Sequence, residues 1–544
     1  MKNKNQTKYI FVMGGVLSGL GKGIAVSSIA MLLKSRGYRT TAIKIDPYVN
    51  VDAGTMNPTE HGEVFVTKDG LETDQDLGNY ERFLGEELSR ANYMTTGSVY
   101  QSVIQAERNL QYKGKCVEVV PHIPDEVIRR FNVLARQSKA EIMIIEIGGT
   151  VGEYQNVLFL ETGRMLQLRY PGCVQFVLVS YLPIPNKIGE MKTKPTQYAV
   201  RTLNASGIQP DFILCRGEKP LDQPRKEKIS YNCNMKPEDI ISAVDVDSIY
   251  EVPLNFEKEK LASKILFKFG LKEKRNDLRE WKKMFRLSRL TKKTVKIGIV
   301  GKYFGIGSYV LADSYISVIE AIKHAAWSNS AKPELTWINA EELEKSPVKV
   351  KELKNYDGLV VPQGWGSRGS EGKIRAIRYA RENKIPYLGL CYGMQMAVIE
   401  FARNVAKMAR ANSLEADPKT PYPVIHIMPD QAEYLKKKQY GGTIRLGNWP
   451  CTLIKGTKVA AAYAGQKNIQ ERHRHRYEFN NLYRKKFESL GLIISGTSPD
   501  GKLVEAVELK NHPFFVGVQF HPEYKSSPLN PHPLFRSFIK ACLK

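Results

Sequence analysis

The sequence lacks the features that mark secreted, membrane-spanning and zinc-finger proteins. Its seven cysteines are odd in number, widely scattered and without any C-x-x-C pair, so neither a disulfide framework nor a cysteine zinc site is expected. No stretch approaches the roughly 18 consecutive apolar residues of a membrane helix. The opening residues MKNKNQTKYIFVMGG contain no signal-peptide cleavage pattern. We therefore expect a cytoplasmic protein without membrane association.

Acidic residues are also fewer than basic residues. The chain has 81 Lys and Arg against 56 Asp and Glu, a net charge of +25, which suits anionic partners such as polyphosphates, nucleic acid or a membrane surface. The basic residues are spread along the chain and no recognised nucleic-acid module appears, so a nucleic-acid partner is not expected. Several triphosphate sites, or a generally basic source proteome, remain alternative explanations of the charge.

At 544 residues the chain is too long for one hydrophobic core. Two segments, KYIFVMGG and TVKIGIVGKY, each resemble the first strand of an α/β unit, and strand and helix patterns alternate after both. Between them lies a basic stretch with apolar residues at helical spacing. We predict two doubly wound, mostly parallel α/β domains at 1–255 and 293–544, joined by a helical linker at 256–292.

A glycine-rich segment, GGVLSGLGKG at 14–23, lies between the first predicted strand and a helix. Backbone N–H groups at such a turn can bind phosphate, and Lys22 would reach the outer phosphates. The spacing is not that of a regular P-loop, and Gly23 stands where a magnesium-binding hydroxyl is expected. Magnesium would then need carboxylates such as Asp76 and Glu146. A glycine turn with an incidental lysine is the alternative.

A candidate nucleophile, Cys391, lies in GLCYGMQ between a predicted strand and a predicted helix. Such an elbow exposes the side chain at a helix N-terminus, where the thiolate is favoured. His521 and Glu523, in the distant sequence HPE, would complete a Cys–His–acid arrangement for acyl transfer. A buried structural cysteine is the alternative.

Several motifs together resemble the CTP synthase family. They are GGVLSGLGKG, KIDPYVNVDAGTMNPTEHGEVFVTKDGLETDQDLGNYERF, IEIGGTVGE, GEMKTKPTQYAV and DVDSIY in the first half, and GLCYGMQ, ERHRHRYEFNN and VGVQFHPE in the second. The resemblance covers nearly the whole chain. It implies a P-loop-like, dethiobiotin-synthetase-like synthetase domain and a flavodoxin-like class I glutamine amidotransferase domain.

The resemblance also implies an activity and its ligands. ATP would phosphorylate the C4 oxygen of UTP, and ammonia from glutamine would then displace the phosphate to form CTP, the final step of de novo CTP synthesis. Mg²⁺ would be required, GTP would activate allosterically with help from Arg368, and CTP would inhibit. The family forms homotetramers, and filaments are possible. An enclosed path for ammonia is expected.

Residue roles in the first half are implied in the same way. The magnesium carboxylates are Asp76 and Glu146. The residues expected to bind ATP are Gly19, Leu20, Gly21, Lys22, Gly23, Ile24, Lys44, Asp76 and Val246. The residues expected to bind UTP or CTP are Ser18, Glu153, Tyr154, Gln155, Lys192, Thr193, Lys194, Pro195, Thr196, Gln197 and Lys228. His61 matches a histidine beside the catalytic loop, although a structural role is equally open.

In the second half the implied catalytic residues are Cys391, His521 and Glu523. The residues expected to bind glutamine or its oxyanion are Gly364, Tyr392, Gly393, Met394, Gln395, Glu415 and Arg476. Arg476 would pair with the α-carboxylate of the substrate.

Some positions depart from the family pattern. The oxyanion loop PGGFG is PQGWG here, at 362–366, and Tyr392 replaces a leucine. If position 363 requires a positive φ, a glutamine there costs about 1 kcal/mol or more. The changes could be a coupled repacking, which we favour, or a weakened glutaminase that uses free ammonia.

Departures in the first half are Gly19 for Ser, Ala53 for Pro, and Glu153-Tyr154-Gln155 for Asp-Ile-Glu. The last puts feedback inhibition by CTP in question. Two other functions remain open: another glutamine-dependent amidoligase, acting on corrin side-chain carboxylates, and a weakly catalytic filament or nucleic-acid-binding scaffold.

Overall fold

The computed structural model describes residues 6–56, 62–187, 189–302, 305–306, 309–310, 312–428, 431 and 443–544. The chain divides into two units: Met1–Asp52 with Asp76–Phe285, and Ala53–Gln75 with Arg286–Lys544. The segment Ala53–Gln75, called the excursion below, belongs to the second unit although the predicted boundaries place it in the first domain. The excursion thus places a piece of the N-terminal half within the second unit. The predicted domain boundaries stay a prediction.

The first unit is built on a seven-stranded sheet in which every neighbouring pair is parallel. Its central strands are rich in Ile, Val and Phe and are buried on both faces, as helix-covered parallel sheets require. The spatial order is β5-β2-β6-β1-β7-β8-β9. These strands are β1 (Lys8–Gly14), β2 (Thr40–Asp46), β5 (Tyr93–Thr95), β6 (Ile142–Thr150), β7 (Val174–Tyr181), β8 (Phe212–Gly217) and β9 (Ile240–Val244).

Ten α-helices lie in the described part of this half of the chain. They are α1 (Lys22–Ser35), α2 (Asp76–Leu84), α3 (Thr96–Arg108), α4 (Val119–Ser138), α5 (Val157–Arg169), α6 (Lys194–Ala205), α7 (Gln223–Cys233), α8 (Val252–Lys258), α9 (Leu261–Lys268) and α10 (Arg279–Leu290). The basic stretch predicted to be helical thus contains α9 and α10. Trp281 of α10 is buried, and its indole N–H donates to the carbonyl of Tyr250 at 2.9 Å.

The second unit contains a nine-stranded mixed sheet in the order β13-β10-β14-β15-β23-β22-β21-β18-β19. The pairs from β13 to β23 are parallel, and those from β23 to β19 are antiparallel. The strands are β10 (Thr294–Gly301), β13 (Lys332–Asn339), β14 (Gly358–Val361), β15 (Tyr387–Leu390), β18 (Arg445–Leu453), β19 (Asn468–His475), β21 (Leu492–Thr497), β22 (Val504–Leu509) and β23 (Phe515–Val518). The predicted α/β class is confirmed, with this antiparallel extension added.

Smaller sheets and eight α-helices make up the rest of the second unit's described residues. The remaining strands are β3 (Phe65–Val66), β4 (Glu72–Thr73), β11 (Gly305–Ile306), β12 (Tyr309–Val310), β16 (Ala411–Ser413), β17 (Tyr422–Ile427) and β20 (Tyr477–Phe479). The helices are α11 (Ile316–Ser328), α12 (Ala340–Lys345), α13 (Pro347–Lys351), α14 (Ser370–Glu382), α15 (Tyr392–Asn404), α16 (Lys458–Ala462), α17 (Arg484–Ser489) and α18 (Pro533–Cys542). Across the described ranges, no helix has both the length and the apolar character needed to cross a bilayer.

Candidate active sites

The predicted phosphate loop lies between β1 and α1. Gly19 and Gly21 have φ values of 69° and 75°, a left-handed conformation that glycine adopts without strain. Lys22 begins α1 and donates from Nζ to the carbonyl of Gly149 at 2.7 Å. Burial lowers the pKa of Lys22, and the negative charge of Glu146 offsets only part of that effect. Free N–H groups at the start of α1 and a nearby ammonium form an anion site.

The structure explains why Gly23 replaces the hydroxyl residue of a regular P-loop. A Cβ added at Gly23 would lie 2.0 Å from Oδ1 of Asp76, far inside van der Waals contact. Asp76 therefore occupies the space where a serine or threonine side chain would project. The carboxylate would then supply an oxygen ligand for Mg²⁺ where a regular P-loop uses the hydroxyl.

Lys44 bridges the two predicted magnesium carboxylates. Its Nζ lies 2.8 Å from Oε1 of Glu146 and also contacts Oδ2 of Asp76. Desolvation by burial raises the pKa of both carboxyl groups. At Asp76 the neighbouring Lys44 outweighs desolvation, so the pKa of Asp76 is lowered. At Glu146 the charge of Asp76 adds to desolvation, so the pKa of Glu146 is raised. No group of three or more metal-ligating side chains occurs in the described part of the chain. Two carboxylates still fit Mg²⁺, because this ion commonly takes one or two protein carboxylates and completes its shell with phosphates and water.

A cleft of about 640 Å³ adjoins the phosphate loop. Among its lining residues are the predicted Leu20, Gly21, Ile24 and Val246, so this part of the expected ATP site lies together. It is also lined by residues that the sequence analysis missed, including Arg216, Asp245, Asn255 and Phe256. Arg216 could have been found from its place at the carboxyl end of β8, where ligands of parallel sheets bind.

The residues expected to bind the uridine nucleotide form two separate groups among the described contacts. In one, Glu153 accepts from the backbone N–H of Thr150 at 3.0 Å and from the side chain of Gln155 at 2.9 Å, while Tyr154 is 95% exposed. The other group, 192–197, lies at the start of α6. Lys192 pairs with Glu190 at 2.6 Å, and Lys228 also acts electrostatically on Glu190. Ser18 is exposed in the phosphate loop.

In the second unit, Cys391 lies in a sharp turn between β15 and α15. Its backbone has φ 51° and ψ −99°, a strained conformation for a residue with a side chain. The turn requires glycine on both sides. A Cβ at Gly389 would lie 2.4 Å from the Tyr387 hydroxyl, and one at Gly393 would lie 2.0 Å from the carbonyl of Val361. The predicted elbow is therefore present and is held by close packing.

His521 and Glu523 form the predicted pair. Nδ1 of His521 lies 2.7 Å from Oε1 of Glu523, and both side chains are buried. Burial lowers the pKa of His521, but Glu523 and then Cys391 outweigh it and raise the pKa to about 10. The other ring nitrogen, Nε2, makes no hydrogen bond within the described residues. His521 and Cys391 line the same small cavity, so the imidazole can move a proton there.

These electrostatics predict a histidine that titrates far above its usual range. In glutamine-free enzyme we expect His521 to titrate near pH 10, compared with roughly 6.5 when unperturbed. Because the folded-state pKa is raised, the charged imidazole stabilises the fold fully below about pH 6.5, and this contribution is lost as the pH rises through 10. NMR of histidine-labelled enzyme measures the titration. In Glu523→Gln the titration midpoint of His521 should move to lower pH, whereas in the control Glu488→Gln, at an exposed site, it should stay where it is. A wild-type midpoint near pH 6.5 would contradict the prediction.

The cavity also gathers most residues expected to hold glutamine or its oxyanion. Gly364, Tyr392, Gln395, Glu415 and Arg476 line it. Desolvation raises the pKa of Glu415, and its Oε1 accepts the backbone N–H of Gly366 at 2.6 Å. Gly393 and Met394 follow on α15 and are buried but do not line the cavity. Trp365, one of the departures noted from the sequence, also lines the cavity, and sequence analysis missed Arg474, His475 and Tyr477.

The structure removes the objection to Gln363. This residue is not among the described non-glycine residues with positive φ, so no left-handed strain arises there. Its side-chain Nε2 lies 3.4 Å from Oε1 of Glu63, within the second unit. The backbone of the PQGWG loop thus accommodates a side chain at position 363.

Tyr392 and Trp365 contact the same lysine. Nζ of Lys302 donates to the carbonyls of Trp365 and Gly366, and it lies 4.9 Å from the ring of Tyr392. The Tyr392 hydroxyl donates to the Gly366 carbonyl at 2.8 Å. Buried Lys373 lies 5.1 Å from the same ring and donates to the Pro362 carbonyl at 2.9 Å. These contacts support a coupled repacking of the loop.

The excursion Ala53–Gln75 packs behind this cavity within the second unit. Glu72 pairs with Arg474 at 2.8 Å, and buried Arg472 donates to the carbonyl of Val66 at 3.0 Å. The Tyr524 hydroxyl donates to the carbonyl of Val64, also at 3.0 Å. The excursion thereby contacts the strand that carries Arg474. His61, predicted to lie beside the catalytic loop, is outside the described residues.

Two family models match the chain in the expected order. One, described as CTP synthase N-terminus, matches residues 8–271. The other, described as Glutamine amidotransferase class-I, matches residues 310–541. Both halves recognised from their motifs are therefore supported independently.

Relatives of similar length agree. A CTP synthase from Carboxydothermus hydrogenoformans is 52% identical over 99% of both chains, and one from Caldanaerobacter subterraneus subsp. tengcongensis is 51% identical over 98% of both. Among solved structures, the glutaminase domain of Trypanosoma brucei CTPS with bound acivicin is 36% identical and covers 46% of this chain and 93% of its own, with a TM-score of 0.42. With half of all residues identical along almost its entire length, this chain belongs to the CTP synthase family.

Proposed function

We propose that this protein aminates UTP to CTP with ATP, using ammonia that it releases from glutamine. The observation that carries the proposal is the presence, on one chain, of a Cys–His–Glu constellation and of a lysine–carboxylate centre beside a phosphate loop. The first suits acyl transfer and the second suits phosphoryl transfer. A corrin-type amidoligase is not favoured, since the full-length relatives are CTP synthases.

In the amidotransferase half, the Cys391 thiolate attacks the side-chain amide carbon of glutamine. The N–H groups of Gly364 and Tyr392 donate to the developing oxyanion. His521 transfers a proton to the leaving nitrogen, the C–N bond breaks, and ammonia departs. Water, deprotonated by His521, then cleaves the thioester to give glutamate. Glu523 keeps the imidazole in the required tautomer.

Binding of the substrate glutamine involves charge complementarity. Arg476 pairs with the α-carboxylate, and Glu415 accepts hydrogen bonds from the α-ammonium. Gln395 and the turn containing Gly393 and Met394 shape the site for the side chain. Both charged groups line the cavity that contains Cys391.

In the synthetase half, the C4 oxygen of UTP attacks the γ-phosphorus of ATP, and ADP leaves. Lys22 and Lys44 bind the phosphoryl oxygens and offset the charge that develops during transfer. Asp76 and Glu146 would hold Mg²⁺, which neutralises phosphate charge when bound. Ammonia then adds at C4 and phosphate leaves, which gives CTP. The ammonia must arrive unprotonated to act as the nucleophile.

Further parts of the proposal concern ligands and assembly. The residues at 153–155, at 192–197 and at Lys228 bind the uridine nucleotide. The family resemblance implies a homotetramer whose interfaces build the nucleotide sites, and that assembly is part of the proposal. GTP activation, with Arg368 contributing, and CTP feedback belong to the proposal. A cytoplasmic location does too, since seven unpaired thiols suit a reducing compartment.

The direct test measures CTP formation from UTP, ATP and Mg²⁺, once with glutamine and once with an ammonium salt. We expect product in both cases, with one glutamate released per CTP when glutamine is the donor. Product with ammonium alone would contradict the glutaminase assignment and indicate that the PQGWG loop is impaired. Absence of product in both, together with ATP hydrolysis that does not depend on UTP, would refute the proposed function.

A further inference from the structure

A buried amide contacts the nucleophile and has no role in the mechanism described above. Gln519 lies two residues before His521 and is 1% exposed. Its Nε2 lies 3.5 Å from Sγ of Cys391. Its own backbone N–H donates to the carbonyl of Glu505 at 2.8 Å, which anchors the residue at the end of β23. The amide is therefore held against the sulfur from a fixed backbone.

The neighbouring hydrogen bonds determine which end of the amide faces the sulfur. The carbonyl of Tyr477 can only accept, so Gln395 must present its Nε2 to it, at 2.9 Å. The same Nε2 donates to Oε1 of Gln519 at 3.3 Å. Gln519 therefore turns its oxygen toward Gln395 and its NH₂ group toward Cys391. This polarity is set by a backbone carbonyl, which cannot reverse its role.

Loss of the thiol proton changes which hydrogen bonds the sulfur of Cys391 can make. As a thiol, Cys391 can donate to the carbonyl of Arg474, 3.8 Å away. As a thiolate it can only accept, and the N–H of Gln519 is then a charge-assisted donor. The titratable or charged groups coupled electrostatically to Cys391 are His521, Lys373, Arg474 and Tyr524. Gln519 differs from these because it donates without changing charge.

We propose that Gln519 is a positioning residue for the glutaminase, whose amide N–H holds the Cys391 thiolate in place for attack. The inference rests on the proposed glutamine hydrolysis. Hydrogen bonds to charged groups contribute enough to change an equilibrium or rate between about 10-fold and about 100-fold. Removing the donor should therefore slow every reaction that begins from this thiolate by a factor in that range.

The test compares alkylation of Cys391 by iodoacetamide across pH, followed by mass spectrometry of its peptide. In Gln519→Leu we expect the rate at pH 7 to fall about 10-fold to 100-fold and its pH profile to move to higher pH. Gln519→Met keeps the length of the side chain and removes the N–H donor without adding a charge, so its rate should fall as far. Exposed Gln470→Leu on β19 is the matched control and should behave as wild type.

Three further readouts make the outcome decisive. For glutamine hydrolysis, kcat should fall in Gln519→Leu while KM changes by less than about 2-fold. Gln395 keeps its hydrogen bond to the Tyr477 carbonyl at 2.9 Å, so the contact that matters among those lost is the one to the nucleophile. If Gln519→Leu unfolds at a lower temperature, Gln519→Met, which fills a similar volume, decides. Alkylation within about 2-fold of wild type with an unmoved pH profile, in folded variants, would overturn the inference. Alkylation that shifts as expected in an enzyme that hydrolyses no glutamine would instead refute the proposed function alone.

Discussion

Replacing Cys391 with alanine is expected to lower glutamine-dependent CTP formation by about 1,000-fold or more, because no other group can form the covalent intermediate. The strained turn places this side chain, and no second thiol among the described residues lines the cavity. The measurement is the initial rate of CTP formation at saturating glutamine. Release of glutamate should fall by the same factor, since both depend on the thioester.

The Cys391→Ala enzyme should still make CTP from ammonium salts, because the phosphoryl-transfer residues belong to the other unit. Cys116→Ala is the matched control: this thiol is exposed, and its loss should leave both activities unchanged. Glutamine-dependent synthesis above about one tenth of the wild-type rate in Cys391→Ala would contradict the assignment of the nucleophile.

Replacing Gly23 with serine is expected to abolish CTP formation with either nitrogen donor, although it brings the loop closer to a regular P-loop. The new Cβ would lie 2.0 Å from Oδ1 of Asp76, so the carboxylate must move from its contact with Lys44. A displacement of about 1 Å in a reacting constellation can cost about 100-fold in rate. We expect a loss of at least that size in UTP-dependent ATP hydrolysis.

A double-mutant cycle separates this steric effect from simple loss of glycine. Asp76→Ala removes the obstructing carboxylate and should itself be inactive, because it deletes a proposed magnesium ligand. In the pair Gly23→Ser with Asp76→Ala, the free energy of unfolding should match that of Asp76→Ala alone, whereas Gly23→Ser alone should be less stable than wild type. Equal destabilisation by Gly23→Ser in both backgrounds would show that Asp76 is not what excludes a side chain at position 23.

The candidate sites show how far local sequence reasoning extends. The elbow at Cys391 was predictable because a strand, a turn with glycines and a helix follow one another within a few residues. The strand-end glutamate Glu146 was predictable for the same reason. Arg216, Lys302 and Gln519 were not identified, because each acts on a residue more than 60 positions away and no local pattern marks that contact.

The departures from the family pattern show the same limit. From sequence, Gln363 raised a question about backbone strain that only its φ could answer. A coupled repacking of Tyr392 and Trp365 was expected from sequence, but only the structure shows that Lys302 contacts both. The packing of Ala53–Gln75 with the C-terminal half likewise has no signal in its own residues.

By itself, the sequence determined the α/β class and the family of this protein, and it predicted the phosphate loop and the catalytic residues Cys391, His521 and Glu523. These depend on periodicity and on short motifs whose geometry is set by a few consecutive peptide units. Only the tertiary structure showed which side chain lies against position 23, which lysines contact the PQGWG loop and which amide faces Cys391. Those answers depend on side chains brought together through space by burial and hydrogen bonding, and such contacts leave no spacing rule along the chain.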